Sequence, residues 1–104
     1  MRTMQTFLNL TEFGMDIQRA IEEPRWTTRS FPASPFPHTM YPADLGVESR
    51  IPGSVRQALL RKQHKIRVHS AWSLGSNAVI VFDARTGVFH VGADPRANAY
   101  ATAW

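Results

Sequence analysis

The chain has 104 residues, a net charge of +4 from 12 Lys and Arg against 8 Asp and Glu, 43% hydrophobic residues and no cysteine. A chain of this length buries only about 60 to 65% of its unfolded surface, enough for one modest core and not two. Without cysteine, disulfides, thiolate metal centres and a cysteine nucleophile are excluded.

Met4, Phe7, Leu8 and Thr11 fall at i, i+3, i+4 and i+7, a helical stripe that predicts a first helix over about residues 3–13, with Gly14 closing it in a left-handed C-cap. Asp16 is placed to cap a second helix, with Ile17, Ala20 and Ile21 on its buried face and Pro24 as its stop. Pro32, Pro35, Pro37 and Pro42 fix backbone angles and delete amide donors. The interleaved Trp26, Phe31, Phe36 and Tyr41 gain most from burial, so 25–50 is expected to be an ordered, extended segment draped over a surface. A PxxP reading of Pro32 to Pro35 is the weaker alternative.

Val47, Glu48 and Ser49 are read as a short strand. Pro52 opens a third helix, where its missing N–H costs nothing, and Val55, Ala58, Leu59 and Lys62 mark the inner face. His64 ends that helix, and 65–70 alternates Ile66 and Val68 with Lys65, Arg67 and His69, the period of a half-buried strand. Two apolar runs, 77–83 and 88–92, are joined by Asp83-Ala84-Arg85-Thr86-Gly87, where Gly87 supplies the positive φ of a hairpin loop.

Chemistry is sparse. The basic run Arg61, Lys62, Lys65 and Arg67 is explained by a solvated helix end, where cations favour the dipole, and nucleic acid is not expected as a partner. No GxSxG or HExxH occurs. His38, His64, His69 and His90 lack ligand spacing, so no metal or other cofactor is expected. Gly87 and Gly92 are not followed by the Lys of a phosphate loop. The sequon Asn9-Leu10-Thr11 falls inside a helix and is discounted. Asp94-Pro95-Arg96 reads as a strand-end turn pinned by a buried ion pair, and Arg25 as paired with an acid or stacked on Trp26. No apolar run approaches the roughly 18 to 20 residues of a membrane span, and residues 1–10 lack the apolar block of a signal peptide. The chain is therefore expected to be soluble, off the membrane, and of undetermined compartment.

Four stretches in register carry a family resemblance. Residues 8–26 resemble the N-x-x-[DE]-F-G-M-[DN]-x-Q-x-A-I-x-x-P-R stretch of the gamma-glutamyltranspeptidases. The Pro52 helix running to Gln63-His64-Lys65, the Gly75-Ser76-Asn77-Ala78-Val79-Ile80 strand start and Gly92-Ala93-Asp94-Pro95-Arg96 follow in order. The match covers nearly the whole chain and corresponds to the C-terminal half of that family's small subunit. Asn98 stands near a frequent Gly of the family, at an expected positive φ, and residues 31–37 look like an insert.

The resemblance implies an α+β chain, a fragment of the four-layer αββα N-terminal nucleophile hydrolase fold, with about three helices and a small, mainly antiparallel sheet. It implies a single partial domain: 1–24 a helical corner, 25–50 the extended segment, and 51–104 a helix, strand, hairpin and C-terminal tail. In that family a threonine attacks the gamma-glutamyl amide of glutathione-type substrates, its free α-amino group serving as base. That threonine, the oxyanion glycines and the substrate-holding residues all precede the matched segment. Thr3, Thr6 and Thr11 are therefore not read as nucleophiles, and no catalytic, substrate-binding or metal residue is assigned. The expectation is a scaffold part that is inactive alone. Its partner is the missing N-terminal part, or a second copy through an exposed sheet face. A non-catalytic interaction module is the alternative.

Overall fold

The structure, a computed structural model, describes residues 2–100 and 102. Among them are three helices and five strands: α1 (Arg2–Thr11), α2 (Ile17–Glu22), β1 (Trp26–Thr27), β2 (Asp44–Glu48), α3 (Gly53–Arg61), β3 (Lys65–His69), β4 (Ala78–Asp83) and β5 (Val88–Ala93). The class is α+β, as expected. The part of the predicted tail at 101, 103 and 104 lies outside the described residues. The chain divides into two compact units, one drawn from the segments up to Glu23 and from Gly75 onward, the other from Pro24–Leu74.

In the first unit, α1 closes as the sequence predicts. Gly14 takes φ +62°, and the Phe13 N–H reaches back to the Leu8 carbonyl at 3.2 Å. The Asp16 carboxylate then accepts from the Arg19 N–H at 2.9 Å, satisfying an orphan donor of the α2 N-terminus. Asn9 donates its amide to the Ala20 carbonyl at 3.1 Å and so fastens the corner. β4 and β5 form an antiparallel hairpin with Val79 opposite Gly92 and Phe82 opposite Phe89, turned by Gly87 at φ +70°.

Helix α2 lies so close to β5 that a Cβ on Gly92 would stand 2.5 Å from Ile17 Cγ2 and 2.6 Å from Ile21 Cδ1. Only glycine permits that approach, and it lets Ile21 and Ala20 become fully buried. The Gln18 amide continues the strand pairing at the edge of β5, donating to the Ala93 carbonyl at 2.9 Å and accepting from the Ala93 N–H at 3.3 Å.

The second unit holds a three-stranded sheet in the order β1-β2-β3. β1 and β2 are antiparallel. β2 and β3 are parallel, with Asp44 opposite Lys65 and Glu48 opposite His69, and α3 makes the crossover a parallel pair requires. The strands thus form two sheets rather than the single one expected, and one pair is parallel.

Helix α3 ends in a Schellman closure: His64 N–H bonds to the Leu59 carbonyl at 3.3 Å and Gln63 N–H to the Leu60 carbonyl at 3.0 Å, with Gln63 at φ 71° in the position glycine usually fills. No α3 residue is buried. Of the expected inner face, Ala58 and Leu59 are half-buried while Lys62 is exposed and Val55 is 45% exposed, so that face packs only partly.

The proline-rich segment is ordered by its own backbone bonds, Ala33 N–H to Thr39 O at 3.0 Å, His38 N–H to Pro35 O at 2.8 Å and Tyr41 N–H to Arg29 O at 2.8 Å. Its aromatics are not buried as expected; Phe31 and Phe36 are 72% and 89% exposed. Two of its residues, His38 and Ala43, hold positive φ, which for a residue with a Cβ costs roughly 1 to 2 kcal/mol. Asn98 is not among the positive-φ residues.

Candidate functional site

The residues singled out for chemistry from the sequence do not converge. Thr6 is buried in α1 and its hydroxyl accepts from the Asn77 amide at 2.7 Å. Thr11 donates to the Phe7 carbonyl at 2.9 Å. Thr3 lies on the same helix. Among the described residues no hydroxyl is hydrogen-bonded to a histidine, and no three His, Cys, Asp or Glu side chains gather to hold a metal. His64 follows α3, His69 closes β3 and His90 stands on β5. His38 lies in the 31–43 loop and donates from Nδ1 to the Ala33 carbonyl at 2.8 Å.

The strand-end turn at Asp94 is a buried ion pair, as read from the sequence. The Asp94 and Arg96 side chains are 0% and 1% exposed and meet at 3.1 Å. Asp94 also accepts from Asn77 N–H at 2.8 Å and Arg96 N–H at 3.0 Å. Arg96 donates to the Ile21 and Glu23 carbonyls, both at 2.9 Å, filling the carbonyls a helix C-terminus leaves open. The pair thus joins the end of α2 to both arms of the hairpin.

Two acidic residues that the sequence did not single out anchor the second unit. Glu48 is fully buried and accepts from the N–H groups of Arg25 (3.0 Å), Ser73 (3.2 Å) and Leu74 (3.1 Å) and from Arg50 at 3.3 Å. Arg50 in turn stacks on Trp72, 3.5 Å from the ring centre. Arg25 is 2% exposed and donates to the Leu74 carbonyl at 3.4 Å.

Asp44 takes a two-pronged bond from Arg67, at 2.5 and 2.8 Å, and bonds from Arg29 N–H and Nη2. Arg67, then Arg29, hold the Asp44 carboxyl well below the usual carboxylate range, against the opposing pull of burial. Asp44 makes Arg67 correspondingly harder to deprotonate. A carboxyl lowered on folding stabilises above its unfolded value of about 3.9, and that stabilisation fades as pH falls through the folded one. The stability gap between wild type and Asp44→Asn is therefore expected to be full at pH 5 to 7 and to narrow below about pH 4, read from urea unfolding at each pH. A gap that stays constant down to pH 2 would refute this.

The first unit leaves one apolar face exposed. Ile80 lies opposite Val91, and Phe82 opposite Phe89, so these four side chains share one hairpin face. Their exposures are 67%, 39%, 56% and 64%, and the two phenyl rings sit 4.9 Å apart. The other face carries Gly92, against which α2 packs. Towards its turn a groove of about 1340 Å³ opens, lined by Phe7, Leu10, Met15, Ile17, Val79 and Val81 among others. An isolated hairpin is at best marginally stable, and one this apolar on its open face is built to be covered.

The gamma-glutamyltranspeptidase family model matches residues 1–104. Cephalosporin acylase from Bacillus halodurans is 31% identical over 99% of this chain and 17% of its own, with a TM-score of 0.80. The gamma-glutamyltranspeptidase from Pseudomonas nitroreducens complexed with L-DON is 15% identical over 99% of this chain and 48% of its own, with a TM-score of 0.76. The Bacillus anthracis transpeptidase CapD is 17% identical over 98% and 55%, with a TM-score of 0.72. A search of curated protein sequences gave no match.

Proposed function

Because this chain belongs to the gamma-glutamyltranspeptidase family, we propose that it is the C-terminal scaffold part of a gamma-glutamyltranspeptidase-like enzyme, inactive alone and completed by the part it lacks. The observation that carries this is the open hairpin face of Ile80, Phe82, Phe89 and Val91, together with a span of only 17% to 55% of the similar chains. In the complete enzyme the reaction is transfer or hydrolysis of the gamma-glutamyl group of glutathione-type substrates. This chain holds the sheet in place and supplies no nucleophile.

The test is a gamma-glutamyl anilide hydrolysis assay on the purified chain, alone and mixed with the polypeptide of the adjacent upstream reading frame. Activity is expected only in the mixture. Silence in both supports a non-catalytic interaction module, and activity of the chain alone overturns the assignment of scaffold. A second reading rests on identity: the acylase, at 31%, is closer in sequence than the transpeptidase at 15%. It places the parent enzyme among acylases, and a mixture that cleaves other acyl anilides but not the gamma-glutamyl one would select it.

A further inference from the structure

The 31–43 loop combines three observations that its own fold does not account for. It is ordered by bonds that close on themselves, including the His38 ring on the Ala33 carbonyl. It holds His38 and Ala43 at φ 60° and 62°, strain that persists only where the surroundings determine it. Yet it buries nothing: every residue from 31 to 43 is exposed, with Phe36 at 89% and the Phe36 ring edge-on to His38 at 6.2 Å.

The loop is also uncharged apart from histidine. From Pro24 to Ala43 the sequence has no acid. The base of the loop is pinned by Arg29, which lies 4.1 Å over the Tyr41 ring and pairs with Asp44. A rigid, neutral, aromatic projection has the composition of an obligate interface core rather than of a solvated rim.

We infer that this loop is a preformed anchor for the missing part of the enzyme, seating Phe36 in an apolar pocket there and offering His38 Nε2 to a polar group at its edge. The inference rests on the proposed function. Its occupant is the remaining polypeptide because the similar chains carry roughly two to six times the length present here. Nδ1 of His38 already donates to Ala33, which fixes the ring plane and leaves Nε2 as the atom that meets a partner.

The experiment titrates the upstream polypeptide, fluorescently labelled, with this chain as wild type, Phe36→Ala and His38→Asn. Asparagine is chosen because it accepts positive φ. Phe36→Ala is expected to weaken assembly by about tenfold or more, as truncation of a buried aromatic anchor does, and His38→Asn by several-fold, with the melting of the isolated chain unchanged. Assembly that Phe36→Ala matches overturns this inference and leaves the proposed function standing. A wild-type chain that does not assemble overturns both. Self-association of the wild type that Phe36→Ala abolishes puts a second copy in the pocket's place and overturns the inference.

Discussion

Replacing Asp94 with alanine is expected to lower the unfolding free energy by about 3 to 5 kcal/mol, the range for removing one member of a buried pair. The cost has two sources. The Arg96 guanidinium would keep its charge at 1% exposure with neutral acceptors such as the Ile21 and Glu23 carbonyls in place of its carboxylate. The N–H groups of Asn77 and Arg96 would each lose an acceptor, and a stranded buried donor costs about 1 to 3 kcal/mol. Asp94→Asn keeps an acceptor oxygen and is expected to lose roughly half as much. Urea unfolding of the three proteins measures this, and a loss below about 1 kcal/mol for the alanine variant would show that the pair is dispensable.

Glu48→Ala is expected to be similarly severe, at about 3 to 4 kcal/mol, by a different route. Here the carboxylate is the hub of a loop: it collects the N–H groups of Arg25, Ser73 and Leu74 in addition to Arg50. Alanine leaves those donors facing a void in the interior. The damage should be local before it is global. Amide hydrogen exchange at Ser73 and Leu74 is expected to quicken by more than a hundredfold, while amides in the first unit, such as Ala20, change little. Equal acceleration in both units would contradict the assignment of Glu48 to the second unit alone.

The α1–α2 corner and the hairpin were legible in the sequence because their signals are local. Gly14, Asp16 and Gly87 each act on residues within about five positions, and each does what its chemistry dictates. The Asp94–Arg96 pair was legible for the same reason, since its two members stand two positions apart across Pro95. The parallel pairing of β2 with β3 was not, because nothing in Asp44–Glu48 or Lys65–His69 names its partner; only the crossover helix brings them side by side. Glu48 was read as one residue of a strand, and its role depends on Ser73 and Leu74, which lie 25 and 26 positions away. Aromatic residues in 31–43 were expected to be covered by this chain. Aromatic composition records a demand for burial and does not say which polypeptide meets it.

The order in which the chain is made bears differently on the two units. Gln18 and Ala93 are 75 positions apart, as are Ile21 and Arg96, so at a synthesis rate of 5 to 20 residues per second the α1–α2 corner waits roughly 4 to 15 s for its counterparts. During that interval Ile17 and Ile21 have no strand beneath them, and α2, with six residues, is too short to persist alone. The Pro24–Leu74 stretch is contiguous and can close as soon as it leaves the ribosome. Residues 2–23 are thus translated before the middle stretch yet become native after it, and a nascent chain halted before Asp94 would display a finished middle flanked by unfinished segments.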